Sequence, residues 1–168
     1  MTLVKTGLAH DPLHHVVAHV RPLDRKELFA TRPHDSPALA SEEIMRYCAP
    51  FGTLFWHEGE PVSAMGFFPM WPGVVSVWAF GSPRWSYVVG AMTRHVINEM
   101  IPELLQMGVH RAECRSLSER RDSERWLLAL GAHAEATLKE FGRNREDFTL
   151  YAWSDRDTSH RRHIAVVH

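Results

Sequence analysis

The stretch Ser123-Glu-Arg-Trp-Leu-Leu-Ala-Leu-Gly131-Ala132, with Glu135-Ala-Thr-Leu-Lys-Glu-Phe-Gly142 and Asp147-Phe-Thr-Leu-Tyr-Ala-Trp153 after it, decides the reading of this chain. Residues 122–130 read as a short helix that Gly131 ends. Residues 133–141 and 147–153 read as two strands, joined by Gly142-Arg-Asn-Arg-Glu146. Just upstream, residues 110–116 alternate. Ala112, Cys114 and Ser116 fall on one face and Arg111, Glu113 and Arg115 on the other.

Before that strand the period changes. Val88, Val89, Met92, Val96, Ile97, Met100, Ile101, Leu104 and Leu105 recur at spacings of three and four, the pattern of a long amphipathic helix. Pro102 kinks or restarts it, and Gly108 stops it. Val74-Val-Ser-Val-Trp-Ala-Phe80 is almost wholly apolar, as a central strand buried on both faces should be. Residues 52–57 and 62–68 are two further strands, and Glu58-Gly59-Glu60-Pro61 between them marks a hairpin. Pro22 opens a short helix to Phe29, and Ser41 with Glu42 and Glu43 opens another to Tyr47. Residues 14–20 have strand character. The expected order is β-α-α-β-β-β-α-β-α-β-β, an α/β (α+β) fold on a mixed central sheet.

Composition narrows the function classes. The 168 residues and 19.3 kDa suit one compact domain. We place it at residues 14–153, with tails at 1–13 and 154–168. Hydrophobic residues make up 45% and charged residues 23%, as in an ordinary globule. The 19 Lys and Arg against 20 Asp and Glu leave a net charge of −1, so bulk charge does not direct the chain to nucleic acid or anionic lipid. No apolar run reaches the roughly 18–20 residues of a membrane span, and the N-terminus lacks the apolar core of a signal peptide. Cys48 and Cys114 cannot form a disulfide framework, which favours a reducing, cytoplasmic setting. Twelve histidines invite a metal reading, but the sequence contains neither Cys-x-x-Cys nor His-Glu-x-x-His. His15 and His19 would lie about 13 Å apart on one strand face. No metal site is expected.

Three hairpin-linked strands, a long crossover helix, another strand, a helix and a closing hairpin resemble the GNAT acetyltransferase fold, with two splayed parallel central strands. The stretches 123–132, 135–142 and 147–153 resemble the GNAT block of helix, glycine turn and closing hairpin, most closely in the branch that acetylates protein N-termini. Gly131-Ala132 after Ser123, Arg125, Trp126 and Leu127 is similar to a narrower group: small tailed-phage proteins of the internal virion or virion-assembly type.

The resemblance implies direct attack of a neutral amine on the thioester of acetyl-CoA. That chemistry needs backbone N–H groups to cradle pyrophosphate, normally in a Gln/Arg-x-x-Gly-x-Gly/Ala turn. Here the turn is Phe80-Gly-Ser-Pro-Arg-Trp-Ser-Tyr-Val-Val-Gly90-Ala91, and no frame satisfies the pattern. If CoA binds, Phe80, Arg84, Trp85 and Ser86 are the residues to hold it. Trp85 and Tyr87 otherwise fill the space, and no cofactor is expected. Many relatives carry a Tyr four residues before the glycine and an Asn eleven before it, where this chain has Leu127 and Arg120. If the chain is active, Glu113 is the candidate base and Ser123 matches a Ser of that branch. Beside these roles stand plainer ones: a paired carboxylate at the solvent edge, and a helix-start residue. Glu58 and Glu60 read as a solvated turn, and His57 as a partly buried structural histidine.

Phe67-Phe-Pro-Met-Trp-Pro72 cannot turn every apolar side chain inward, so some of Phe68, Met70 and Trp71 are expected to be exposed for a protein partner. Ile164 and Val166, beyond a charged linker, are expected to join them. The expected role is a host-cytoplasmic or virion-associated assembly factor with a decayed cradle. The alternative is an active acetyl-CoA-dependent N-acetyltransferase acting on a protein or small-molecule amine.

Overall fold

Helical spacing, not strand alternation, governs the N-terminal region of the computed structural model, which describes residues 2–156. Leu13, Val16 and Val17 stand three and four residues apart and are fully buried on one face of α1 (His10–Ala18). The strand expected over 14–20 is therefore a helix. The preceding segment is also no tail: Leu3–Gly7 forms β1, antiparallel to β2 (Gly52–His57). Its side chains beyond Leu3 are exposed, so pairing with β2 rather than burial defines it.

Helix α2 spans Pro22–Ala30 and α3 Pro37–Cys48. Ser36, not Ser41, caps α3. Its Oγ accepts the Leu39 N–H at 3.3 Å, and Pro37 sits at the first helical position. Ser41 is buried one turn in and donates to the Pro37 carbonyl at 2.7 Å. After β2 come β3 (Glu60–Trp71) and β4 (Val74–Gly81), connected through Gly73 at φ +85°. A single 3₁₀ turn, Pro83–Tyr87, leads into α4 (Val89–His95). Val96–Met100 widens to π geometry ahead of α5 (Ile101–Gln106). Pro102 has no N–H to give the preceding turn, and the wide turn accommodates that break. The chain continues through β5 (Arg111–Leu117), α6 (Arg121–Ala129), β6 (His133–Leu138) and β7 (Phe148–Ser154). Gly131, at φ +91°, supplies the left-handed residue that ends α6.

The seven strands form one mixed sheet in the order β1-β2-β3-β4-β5-β7-β6. β4 and β5 are parallel neighbours, as a crossover through the α4–α5 helix requires. Their register covers Val74–Ser76 against Arg111–Glu113, although β4 runs on to Gly81 and β5 to Leu117. β7 lies antiparallel to both β5 and β6.

The described chain falls into two compact units. One comprises the residues through Phe68 with Val77–Met92, and the other Pro69–Ser76 with the residues from Thr93 on. In the first, Leu13, Val16, Val17, Phe29, Ile44 and Leu54 bury the apolar faces of α1, α2 and α3 against the sheet. No helix of the described residues is long and apolar enough to cross a membrane.

Gly52 and Gly66 face each other in the β2–β3 register. A Cβ on Gly66 would lie 2.5 Å from the Phe51 carbonyl oxygen and 2.8 Å from the Gly52 Cα, both backbone atoms. Gly66→Ala should therefore cost about 1–3 kcal/mol, the range of overpacked cores, read as a lower urea midpoint at unchanged slope.

Candidate functional site

In the first unit, the turn after β4 is held from several sides. The Asp24 carboxylate is buried at the start of α2. Its Oδ2 accepts the Gly81 N–H at 3.1 Å and the Arg21 Nε–H at 2.7 Å. The Arg21 N–H returns to the Gly81 carbonyl at 2.9 Å. Gly81 is thus clasped through both of its backbone groups. The absence of a side chain there lets an indole approach, since a Cβ on Gly81 would stand 2.5 Å from Cε3 of Trp85. The Arg21 guanidinium covers that ring at 4.3 Å from its centroid, which also places its charge over an aromatic face.

Several of the turn's N–H groups bond within the same unit. Ser82 donates to the Val62 carbonyl at 2.8 Å, and Arg84 to Ser82 Oγ at 3.3 Å. Trp85 donates to the Ser82 carbonyl and Val88 to the Trp85 carbonyl, each at 3.0 Å. Pro83 has no N–H. Of the four residues expected to hold a cofactor, Phe80 is core, stacked on Trp78 at 5.4 Å, and Trp85 lies between Gly81 and Arg21. Arg84 pairs with Glu60 and donates to His57, and only Ser86 is exposed. The Glu60 carboxyl is held below the usual carboxylate range, chiefly by its hydrogen bond to Arg84. Tyr87 is exposed and lies flat on the buried His57 ring.

In the second unit, the polar face of β5 forms an ion network. Glu113 is not at a solvent edge. It is 9% exposed, with Oε1 accepting the Arg111 Nε–H at 2.8 Å and Oε2 the Arg115 Nη2–H at 3.4 Å. Both oxygens of the candidate base therefore already serve guanidinium groups. Arg111 also reaches past β7 to Glu135, making bonds of 2.9 and 2.5 Å. Two features allow this. Ala152, opposite Glu113 on β7, is small, and β6 bulges between Ala134 and Ala136, so that Glu135 stands outside the register. The hydrogen bond from Arg111 holds the Glu135 carboxyl below its ordinary range and raises the guanidinium in turn.

Ser123 is half-buried in the first turn of α6. Arg120, where the resemblance expects Asn, is buried and grips Asp122 at 3.0 Å. Trp126 fixes the helix by donating to Thr93 Oγ1 at 2.9 Å. Phe68 is 38% and Trp71 56% exposed, while Met70 is half-exposed. Ile164 and Val166 lie outside the described residues.

His15 lies in α1 and His19 caps its C-terminal end, so their ring centroids are 4.5 Å apart, well under the spacing of an extended chain. Among the described residues, no three His, Cys, Asp or Glu side chains are placed to hold a metal ion.

Solved structures of similar fold include N-acetyltransferases and putative acetyltransferases. Ard1 from Thermoplasma volcanium matches with a TM-score of 0.71 at 8% identity, over 92% of this chain and 98% of that one. The ribosomal-protein-alanine N-acetyltransferase of Brucella melitensis gives 0.64 at 15% identity, over 90% and 99%. The yncA protein of Salmonella typhimurium, solved with acetyl-CoA, gives 0.65 at 15%, over 92% and 94%. The chain has the GNAT fold. No family model and no curated protein matches its sequence.

The turn after β4 and the polar face of β5 are legible in the sequence, and the clasp on that turn is not. Asp24 reads as an ordinary first-turn acid, and its partner Gly81 is 57 residues away. Because Glu135 titrates lower in the folded chain than in the unfolded one, its contribution to stability is present above about pH 4.3 and is lost as pH falls through its folded value. Glu135→Gln should therefore lower stability at neutral pH and flatten the acid limb of the stability–pH curve, checked by urea unfolding between about pH 3 and pH 7.

Proposed function

We propose that this chain is a GNAT-fold protein that does not hold CoA tightly and instead binds protein, as a virion-associated or assembly component of tailed-phage type. One observation carries the reading: the turn after β4 spends the N–H groups of Gly81, Ser82, Arg84, Trp85 and Val88 on its own unit. Pyrophosphate binding at such a turn depends on N–H groups turned toward the ligand and on bare backbone to approach. Here the Trp85 indole lies against Gly81, where a glycine-rich turn would be open. The engagement of Glu113 by two arginines supports the same conclusion, since a general base needs a lone pair facing the amine. The phage role rests on the resemblance of residues 123–132 and on the exposure of Phe68 and Trp71. In that role the protein works in the host cytoplasm or in the particle.

A second reading is an acetyl-CoA-dependent N-acetyltransferase acting on a protein or small-molecule amine. The similarity of fold to yncA, which was solved with its cofactor, favours it. Phe80, Arg84, Trp85 and Ser86 are then the candidates to hold the coenzyme, and Glu113 and Ser123 the catalytic candidates.

Titration calorimetry with acetyl-CoA separates the two. The expected dissociation constant is above roughly 1 mM, less than about 4 kcal/mol of binding free energy, and a micromolar constant overturns the first reading. For the binding role, Trp71→Ala should weaken incorporation into phage particles or assembly intermediates about thirtyfold, the effect of losing an interface anchor worth about 2 kcal/mol. The melting temperature of the free chain should stay the same. Unchanged incorporation removes Trp71 from the binding surface.

A further inference from the structure

His57 ends β2 with 4% of its surface exposed, and its ring nitrogens have unlike surroundings. Nδ1 lies 2.8 Å from Nη2 of Arg84. A guanidinium only donates, so Nδ1 carries a lone pair and the ring proton sits on Nε2. That Nε2 is buried and has no hydrogen-bond partner. The ring face lies on Tyr87, with centroids 4.5 Å apart and planes 6° apart.

The charged and titratable groups around the ring come from three places. Arg84 and Tyr87 come from the turn after β4. Glu58 and Glu60 come from the β2–β3 hairpin, with Glu58 Oε2 at 4.0 Å from Nδ1 and Glu60 paired to Arg84. His15 comes from α1 and meets Glu60 at 3.6 Å. His15 in turn stacks with His19, whose Nδ1–H donates to the His15 carbonyl at 2.8 Å.

We propose that His57 is a proton-operated latch on the turn after β4, holding Arg84 while its ring is neutral and exchanging Arg84 for Glu58 when the ring is protonated. The balance of donors and acceptors requires the exchange. Protonation places an N–H on both ring nitrogens, so at 2.8 Å two donors and two positive charges would face each other with no lone pair between them. The contact with Arg84 cannot survive that change. The new Nδ1–H has a carboxylate at hand, because Glu58 Oε2 already stands 4.0 Å from Nδ1 and 3.7 Å from Nη2 of Arg84. With Nε2 unpartnered, no second hydrogen bond keeps the ring in place.

Protonation is local chemistry with a wider effect. The turn is fastened by the Asp24 clasp on Gly81, by the Ser82 cap and by the Arg84–His57 bond. Opening the latch removes the third fastening and leaves Arg84 with Glu60. Because Tyr87 rests on the His57 ring, movement of that ring is transmitted to the exposed end of the turn. No step involves CoA, so the latch stands or fails separately from the proposed function.

The test is nuclear magnetic resonance on the 15N-labelled full chain from about pH 8 to about pH 5, the span over which imidazoles change charge. Long-range proton–nitrogen spectra report the ring, and amide signals report the turn. At the high end, His57 should be the Nε2–H tautomer alone. On acidification the amides of Arg84 and Tyr87, and the side-chain Nε of Arg84, should shift with the same midpoint as the ring. In His57→Phe, which keeps a ring to stack on Tyr87, those shifts should vanish. An Nδ1–H tautomer at high pH overturns the proposal. So does a ring that stays neutral until the chain unfolds, or a ring that protonates while Arg84 and Tyr87 stay unmoved. If His57→Phe does not fold, the wild-type titration alone decides.

Discussion

A carboxylate buried to 2% exposure has to be paired, and the way Asp24 is paired sets the layout of the first unit. Its acceptor oxygen joins a helix start to the last residue of β4, through a charged hydrogen bond to Arg21 and another to the Gly81 N–H. Because the Arg21 N–H closes back on the Gly81 carbonyl, the end of β4 has no freedom left in its hydrogen bonding. The next residues are constrained one after another. Ser82 is bound to Val62, its side chain caps the 3₁₀ turn, and Trp85 comes to rest on Gly81 beneath Arg21. Loss of the Asp24 carboxylate would leave the buried Gly81 N–H without its acceptor and Arg21 without its shortest ion pair. Such a loss is far costlier than that of a single surface pair.

The two units solve a common problem in different ways. Each carries an arginine network at the place where GNAT chemistry would need polar groups facing a ligand. In the first, Arg84 is taken by Glu60 and His57; in the second, Glu113 is taken by Arg111 and Arg115. Arginine suits this use because its fork of donors satisfies two partners at once and it stays charged at any ordinary pH. Arg111 puts one N–H on Glu113 and two on Glu135. Side chains engaged in this way give rigidity and registry. The same engagement occupies groups that proton transfer and anion binding would use, and the proposed scaffold reading rests on it.

Most of the fold from β2 onward is legible in the sequence because its periods are clean. The apolar run of β4, the three-and-four spacing of 88–105, the alternation of β5 and the glycine stop after α6 each correspond to one physical pattern. The N-terminal region is not legible, for the opposite reason. Val16, Val17 and Val20 suggest a strand by type, while the burial of Leu13, Val16 and Val17 on one face makes a helix. The difference carries over into geometry, because a strand separates His15 and His19 and a helix brings them together. β1 offers no signal of its own, with Val4 45% exposed and polar residues around it; only β2 defines it. In the site, the paired character of Glu113 can be read from its arginine neighbours, but its burial depends on the small Ala152 of a strand far along the chain. The Asp24–Gly81 clasp has no local signal at all.

The scaffold reading requires that the backbone of the turn after β4 be closed to a pyrophosphate. Amide hydrogen exchange across residues 81–88, with and without millimolar acetyl-CoA, measures that closure residue by residue. If the turn is fastened as described, Gly81, Ser82, Trp85 and Val88 exchange slowly in the free protein, and the coenzyme leaves every rate unchanged. Fast exchange at these amides that slows markedly when acetyl-CoA is added would contradict the closure and show an open cradle.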